Sequence, residues 1–160
     1  MQNLVYYKII GFLKVHGLPL PGRLISYLCL DRVETSLIID IRDQVFDTLV
    51  SRGAISSEHK LEDKDYIMVR AMFEHCGVVA SAMESVLRDN IGIPVFMFHS
   101  VHGHHVIKSK VTGLLYDMVT TKGVSDKRDL DYAKYIEKIS NGDENAIAYF
   151  VKMYSQSTQQ

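Results

Sequence analysis

Length, composition and charge predict one globular chain and exclude several classes of protein. The chain has 160 residues, of which 47% are apolar, and this is enough for a core and too apolar for general disorder. Its net charge is −1, so only a local patch could bind nucleic acid. Two isolated cysteines, Cys29 and Cys76, form no disulfide framework, and we expect a cytoplasmic protein without a secretory signal or membrane segment.

Apolar spacing predicts three helices in the first part of the chain. They cover about residues 2–16, 21–30 and 35–52, and the stretch "CLDRVET" between the last two is interpreted as a tight turn. Thr35 and Ser36 are candidate caps of the third helix, and Gly53 ends it. The period then changes to that of strands, which we expect at "AISS" and "YIMV" with the polar loop "EHKLEDKD" between them.

This order of elements resembles the winged helix-turn-helix superfamily over about residues 3–70. The residues that carry the resemblance are "LPGRLISYLCLDRVETSLIIDIRDQVFDTLVSRGAISS" followed by "YIMV". The resemblance implies that the third helix enters the major groove of DNA and that the wing follows the backbone. Carried over by position, the DNA-binding residues would be Arg32, Thr35, Ser36 and Arg42 on the helices, with His59, Lys60 and Lys64 on the wing.

The third helix departs from this pattern in charge and in apolar surface. It carries Glu34, Asp40, Asp43 and Asp47, and such carboxylates repel phosphates. Ile39, Phe46 and Val50 add a second apolar stripe where a helix facing DNA should be polar. That stripe needs either the C-terminal half of the chain or another protein to cover it.

Helical spacing resumes over residues 71–90, where Met72, Cys76, Val79, Met83 and Val86 form a stripe. Small residues beside this stripe suit either ordinary core packing or the contact between two helices of a homodimer. In this stripe Cys76 is interpreted as a buried apolar residue, and a thiol in such surroundings is usually inert.

A β-hairpin is predicted over about residues 93–110, and it contains four of the seven histidines. A two-residue turn at His102-Gly103 places Val101 opposite His104. His99 and His104 then share one face, whereas His105 lies on the other, so the histidines do not converge and no metal site is predicted. The face with His99, His104, Lys108 and Lys110 could contact phosphates or an acidic protein surface, or it could be a solvated edge.

The rest of the chain is predicted to be helical. One helix starts near Val111 and ends before Gly123, a second is capped by Ser125 and ends at Asn141-Gly142, and a third is capped by Asp143. Residues 156–160 form a polar tail that we expect to be disordered.

These observations predict an α+β fold in which a winged helix-turn-helix (residues 1–70) packs with a mainly helical part (71–155) that contains the hairpin. We expect a small regulatory DNA-binding protein that acts as a homodimer and needs no cofactor. The alternative is a protein-binding adaptor or inhibitor that uses Ile39, Phe46 and the hairpin. A metal-dependent or histidine-dependent enzyme is a second alternative, but no known catalytic motif proposes one.

Overall fold

The computed structural model describes residues 2–22, 29–56, 58 and 63–157. Within them the architecture is α+β, as predicted, with seven α-helices and one three-stranded antiparallel sheet. In chain order the elements are α1 (Gln2–Val15), α2 (Leu30–Asp40), α3 (Arg42–Ser51), α4 (Lys64–Glu74), α5 (Cys76–Ile91), β1 (Phe96–Val101), β2 (His104–Ser109), β3 (Leu115–Tyr116), a 3₁₀ turn (Lys127–Asp129), α6 (Asp131–Ser140) and α7 (Ala146–Gln156).

Helix α5 packs against one face of the sheet, where it contacts β1 and β2, and it also contacts α3 and α4. Its residues Val79, Met83 and Leu87 are completely buried at the spacing of one helical face. Helix α1 comes close to the segment before β1, because a Cβ on Gly11 would lie 2.5 Å from a methyl group of Val95. One core therefore joins the N-terminal helices to the sheet.

The hairpin is confirmed, including its register. Val101 pairs with His104, Ser100 with His105 and His99 with Val106. His102 and Gly103 have φ values of 43° and 80°, and two positive φ angles are what a type I′ turn requires.

The two strands predicted for the wing are wrong. Tyr66–Val69 lie inside α4, and Ala54–Ser56 are not in a strand. Val69 and Met72 are completely buried at helical spacing, and α4 packs against α5 and α7, so tertiary packing overrides the strand propensity of "YIMV". Most of the predicted second helix, residues 23–28, lies outside the described residues.

Other predicted boundaries also need correction. "CLDRVET" is not a turn, because α2 begins at Leu30, and Ile41 separates α2 from α3 where one helix was expected. The predicted helix over 71–90 is interrupted at His75. The helix predicted from Val111 is a turn followed by β3, because β3 pairs with β2 through Ile107–Tyr116 and Lys108–Leu115.

Candidate functional site

The structure buries the side chain of Arg42 against the C-terminal helix α7. Its side chain is only 5% exposed. The guanidinium lies 3.9 Å from the ring centre of Tyr154, and it donates hydrogen bonds to the Tyr154 carbonyl at 3.2 Å and to Ser157 Oγ at 2.7 Å. Burial lowers the pKa of Arg42. Arg42 therefore holds α7 to α3, and its contact with DNA stays a prediction that this burial does not favour.

The other predicted DNA contacts that the structure describes lie on two different helices, α2 and α4. Arg32 and Ser36 line a cavity of about 450 Å³ between α1 and α2, and the neighbouring Thr35 is half-buried. Lys64 is in α4 instead of a wing, where it forms an ion pair with Asp43. His59 and Lys60 lie outside the described residues.

The residues predicted to contact a partner differ in their exposure. Ile39 and Phe46 are half-buried, and the ammonium group of Lys64 lies 4.9 Å from the ring centre of Phe46. In the hairpin, His99 and Lys108 are half-buried and Lys110 is exposed. His104 is 1% exposed, and this burial does not favour its predicted contact with phosphate or protein.

His104 instead belongs to a buried polar pair. Its Nε2 lies 3.0 Å from Oδ2 of Asp117, a residue with no exposed surface. The other carboxylate oxygen accepts hydrogen bonds from the amides of Val119 and Thr120. The ring of Tyr132 stacks on the His104 imidazole, with centroids 4.0 Å apart and planes 3° apart. Asp117 was absent from the predicted site because a helix was expected there.

A second buried carboxylate joins the N-terminal helices to the sheet. Glu34 of α2 has no exposed surface and accepts hydrogen bonds from the hydroxyls of Tyr7 (2.8 Å), Thr112 (2.6 Å), Tyr116 (2.6 Å) and Ser109. The pKa of the phenols of Tyr7 and Tyr116 is raised above the ordinary value. Burial is the larger cause, and the negative charge of Glu34 is the second. These hydroxyls compensate the loss of hydration at Glu34.

The break at His75 makes Cys76 the first residue of α5. A continuous helix would place Gly77 in its interior, where glycine costs about 1 kcal/mol relative to alanine. The amides of Val78 and Val79 donate to the carbonyl of His75. Those of Cys76 and Gly77 have no backbone acceptor among the described residues, as is usual in a first helical turn.

Cys76 contacts His105 on β2. Its Sγ lies 3.5 Å from Nδ1 of the His105 ring and accepts a hydrogen bond from the His105 amide at 3.3 Å. Both residues are half-buried, and the ring of Phe98 lies over His105 with centroids 5.1 Å apart. The Cys76–His105 pair thus places a thiol beside an imidazole at the start of a helix.

Sequence reasoning missed this pair and assigned Cys76 to an apolar stripe. His105 was correctly separated from His99 and His104, but its partner is 29 residues away in sequence. The one local signal was Gly77, which disfavours a continuous helix at this point.

Comparison with known proteins adds no relative. No protein-family model, no curated protein and no solved structure matches the chain. None of the helices in the described part of the chain combines the length and apolar character needed to cross a membrane. Among the described residues, His, Cys, Asp and Glu form no group of three or more that could hold a metal ion.

Proposed function

We propose that this protein is an enzyme that uses Cys76 as a nucleophile and His105 as its base in acyl transfer. The observation that carries the proposal is the distance of 3.5 Å between Cys76 Sγ and His105 Nδ1. A thiol beside an imidazole can transfer its proton to the ring, and the resulting thiolate is the reactive form of cysteine. The substrate class that this chemistry fits is an amide, ester or thioester.

The reaction balances with these two side chains and water. The Cys76 thiol gives its proton to His105, and the sulfur then attacks the carbonyl carbon. Collapse of the tetrahedral intermediate breaks the bond to the leaving group, which takes the proton from the imidazolium, and a thioester remains on Cys76. Attack by water or by an amine, with His105 again as base, releases the acyl group and restores the thiol.

The start of α5 supplies a place for the negative charge of the intermediate. Amides at a helix N-terminus point outward along the axis, and they favour anions. The amides of Cys76 and Gly77 have no backbone acceptor in the described part of the chain and can donate to the oxyanion. Removal of one such donor typically slows an enzyme by about 100-fold or more.

DNA binding stays a prediction of the winged-helix resemblance, and three observations on the residues predicted to bind DNA do not favour it. Arg42 is buried, Lys64 is paired with Asp43, and residues 66–69 are helical.

Protein binding has one specific observation in its favour: Val5, Ile9 and Phe12 form a stripe on α1, and each is about half exposed. Sedimentation of the wild type and of Ile9→Asp would test whether this stripe mediates a homodimer.

The first test of the enzyme proposal is thiol reactivity near pH 6, where an ordinary thiol is almost fully protonated. Peptide mapping after iodoacetamide treatment compares Cys76 with Cys29, which is exposed and serves as an internal control. We expect Cys76 to react about tenfold faster than Cys29, although it is less exposed. His105→Ala should remove this advantage, whereas the matched variant His99→Ala should keep it. Equal rates at the two cysteines would refute the proposal.

A second test asks for turnover. With p-nitrophenyl acetate, an activated ester, we expect a burst of about one product per protein molecule followed by slower hydrolysis. Cys76→Ser should abolish the burst and Cys29→Ser should not change it. An unchanged burst in Cys76→Ser would assign any hydrolysis to another group.

A further inference from the structure

The face of the sheet that carries His105 has no formally charged side chain on β1 or β2. Side chains alternate between the two faces of a strand, so the register determines which residues share the face of His105. They are Phe96, Phe98, Ser100, His105, Ile107 and Ser109. Lys108, which is the one lysine, arginine or carboxylate residue of these two strands, is paired with Met97 and lies on the other face.

Phe98 provides exposed apolar surface on this face. It is 42% exposed, whereas Phe96 and Ile107 are buried. Its ring centroid lies 5.1 Å from that of His105, and the two ring planes are 32° apart. The imidazole of His105 therefore contacts both the Cys76 sulfur and the Phe98 ring. An acyl chain that starts at Sγ and follows the imidazole meets the exposed part of Phe98.

We propose that Phe98 is a specificity-determining residue and that the site acts on neutral, apolar acyl groups. This proposal rests on the enzymatic activity proposed above for Cys76 and His105. Full burial of one methylene group changes an equilibrium constant by about fourfold, so contact with Phe98 favours a longer chain over an acetyl group. A charged chain is disfavoured, because neither strand places a cation on this face to compensate a carboxylate.

The test compares three p-nitrophenyl esters that share a leaving group. The hexanoate has four methylene groups more than the acetate, and the adipate monoester has the six carbons of the hexanoate with a carboxylate at the end. The measured quantity is the second-order rate constant of the burst, corrected for the rate in Cys76→Ser. We expect the wild type to prefer the hexanoate by about tenfold over the acetate and by about tenfold over the adipate monoester.

Two neighbouring residues of β1 give a matched pair of variants. Phe98 and Met97 are 42% and 43% exposed and lie on opposite faces of the sheet. Phe98→Ala should reduce the ratio of the hexanoate rate to the acetate rate to about two or less, and Phe98→Leu should give an intermediate ratio. Met97→Ala should leave the ratio within about twofold of the wild type. A mere displacement of His105 would slow both esters equally, so it would not change this ratio.

The outcomes separate this proposal from the enzymatic one. Absence of a burst that depends on Cys76 with any of the esters refutes the enzymatic activity and the role of Phe98 with it. If that burst occurs, the activity stands, and three results overturn the role of Phe98. They are equal rates for the three esters in the wild type, an unchanged ratio in Phe98→Ala, and an equal fall of the ratio in Met97→Ala.

Discussion

Asp117 fixes His104 from the neighbouring segment of the sheet: Oδ2 of Asp117 lies 3.0 Å from Nε2 of His104, and both residues are at most 1% exposed. An ionised carboxylate only accepts hydrogen bonds, so Nε2 of His104 carries the proton in this pair. Since the amides of Val119 and Thr120 bind the other carboxylate oxygen, Asp117 also shapes the turn after β3.

Asp117→Ala should therefore lower the free energy of unfolding by about 3–5 kcal/mol, the range found when one partner of a buried pair is removed. The control is Asp126→Ala, because Asp126 pairs with an exposed arginine and accepts one backbone hydrogen bond. That variant should lose far less, because solvent screens the exposed pair. Urea unfolding measures both free energies of unfolding. Equal losses would show that the buried pair of His104 and Asp117 stabilises the fold no more than an exposed pair does.

Glu34→Gln should destabilise the protein by about 1–3 kcal/mol. The amide group of glutamine replaces an oxygen that accepts hydrogen bonds from buried hydroxyls, so some of those hydroxyls lose their acceptor. The matched control is Glu84→Gln, which removes only a surface pair with Arg88 and should cost about 0.5 kcal/mol or less. A loss at Glu34 no larger than that at Glu84 would contradict the role assigned to the buried carboxylate.

The tyrosines around Glu34 make the protein sensitive to alkaline pH. Burial and the Glu34 charge raise the pKa of Tyr7 and Tyr116 in the folded state above the value of about 10 in the unfolded chain. A raised folded pKa stabilises the protein fully below the unfolded pKa, and this stabilisation is lost as pH rises above it. We therefore expect stability to fall above about pH 10.

Phenolate absorbance measured together with circular dichroism tests this sign. Tyr7 and Tyr116 should ionise only when the alkaline fold is lost. Glu34→Gln removes the nearby charge and should allow them to ionise at lower pH. Complete ionisation of all nine tyrosines in a protein that is still folded would contradict the expectation.

The hairpin could be predicted because its signals are local. Alternation of apolar residues and the His102-Gly103 turn determine both the strands and their register. That register separates His104 from His105, so sequence alone excluded the convergence of all four histidines.

The candidate site could not be predicted, because its contacts join distant parts of the chain. Glu34 meets Tyr116 across 82 residues and Cys76 meets His105 across 29. Neither of these two contacts can be predicted from the local spacing of residues. Cys76 fits an apolar helical stripe as well as it fits a helix start. The same limit explains Tyr66–Val69, whose β-branched and aromatic residues suit a strand until the packing of α4 is known.

Arg42→Ala should loosen the C-terminal helix without changing any DNA binding. The guanidinium holds the end of α7 through the Tyr154 carbonyl and Ser157 Oγ, and hydrogen bonds to a charged group contribute about 1.5–3 kcal/mol. Hydrogen exchange should therefore accelerate over residues 150–157. The control is Arg52→Ala, where the guanidinium makes one exposed contact of 3.5 Å to Ser85.

Fluorescence anisotropy with mixed duplex DNA across a salt series completes the test. A specific loss of DNA affinity in Arg42→Ala would support a DNA-binding role for this residue.

Two glycines with similar backbone angles should respond very differently to alanine. Gly113 and Gly123 have φ values of 77° and 70°, so alanine at either position costs about 1–2 kcal/mol for the left-handed conformation. A Cβ at Gly113 meets no atom within 4 Å, whereas one at Gly123 would lie 2.5 Å from Cζ of Tyr116. Tyr116 cannot yield easily, because its ring is completely buried and its hydroxyl is bound to Glu34. Gly123→Ala should therefore cost at least about 2 kcal/mol more than Gly113→Ala in urea unfolding, a difference typical of overpacking.

Addition of Tyr116→Phe should not relieve the clash, because the ring remains, whereas Tyr116→Leu should relieve part of it. Equal losses for the two glycines would mean that Tyr116 moves freely and that the hydroxyl cluster around Glu34 does not hold it.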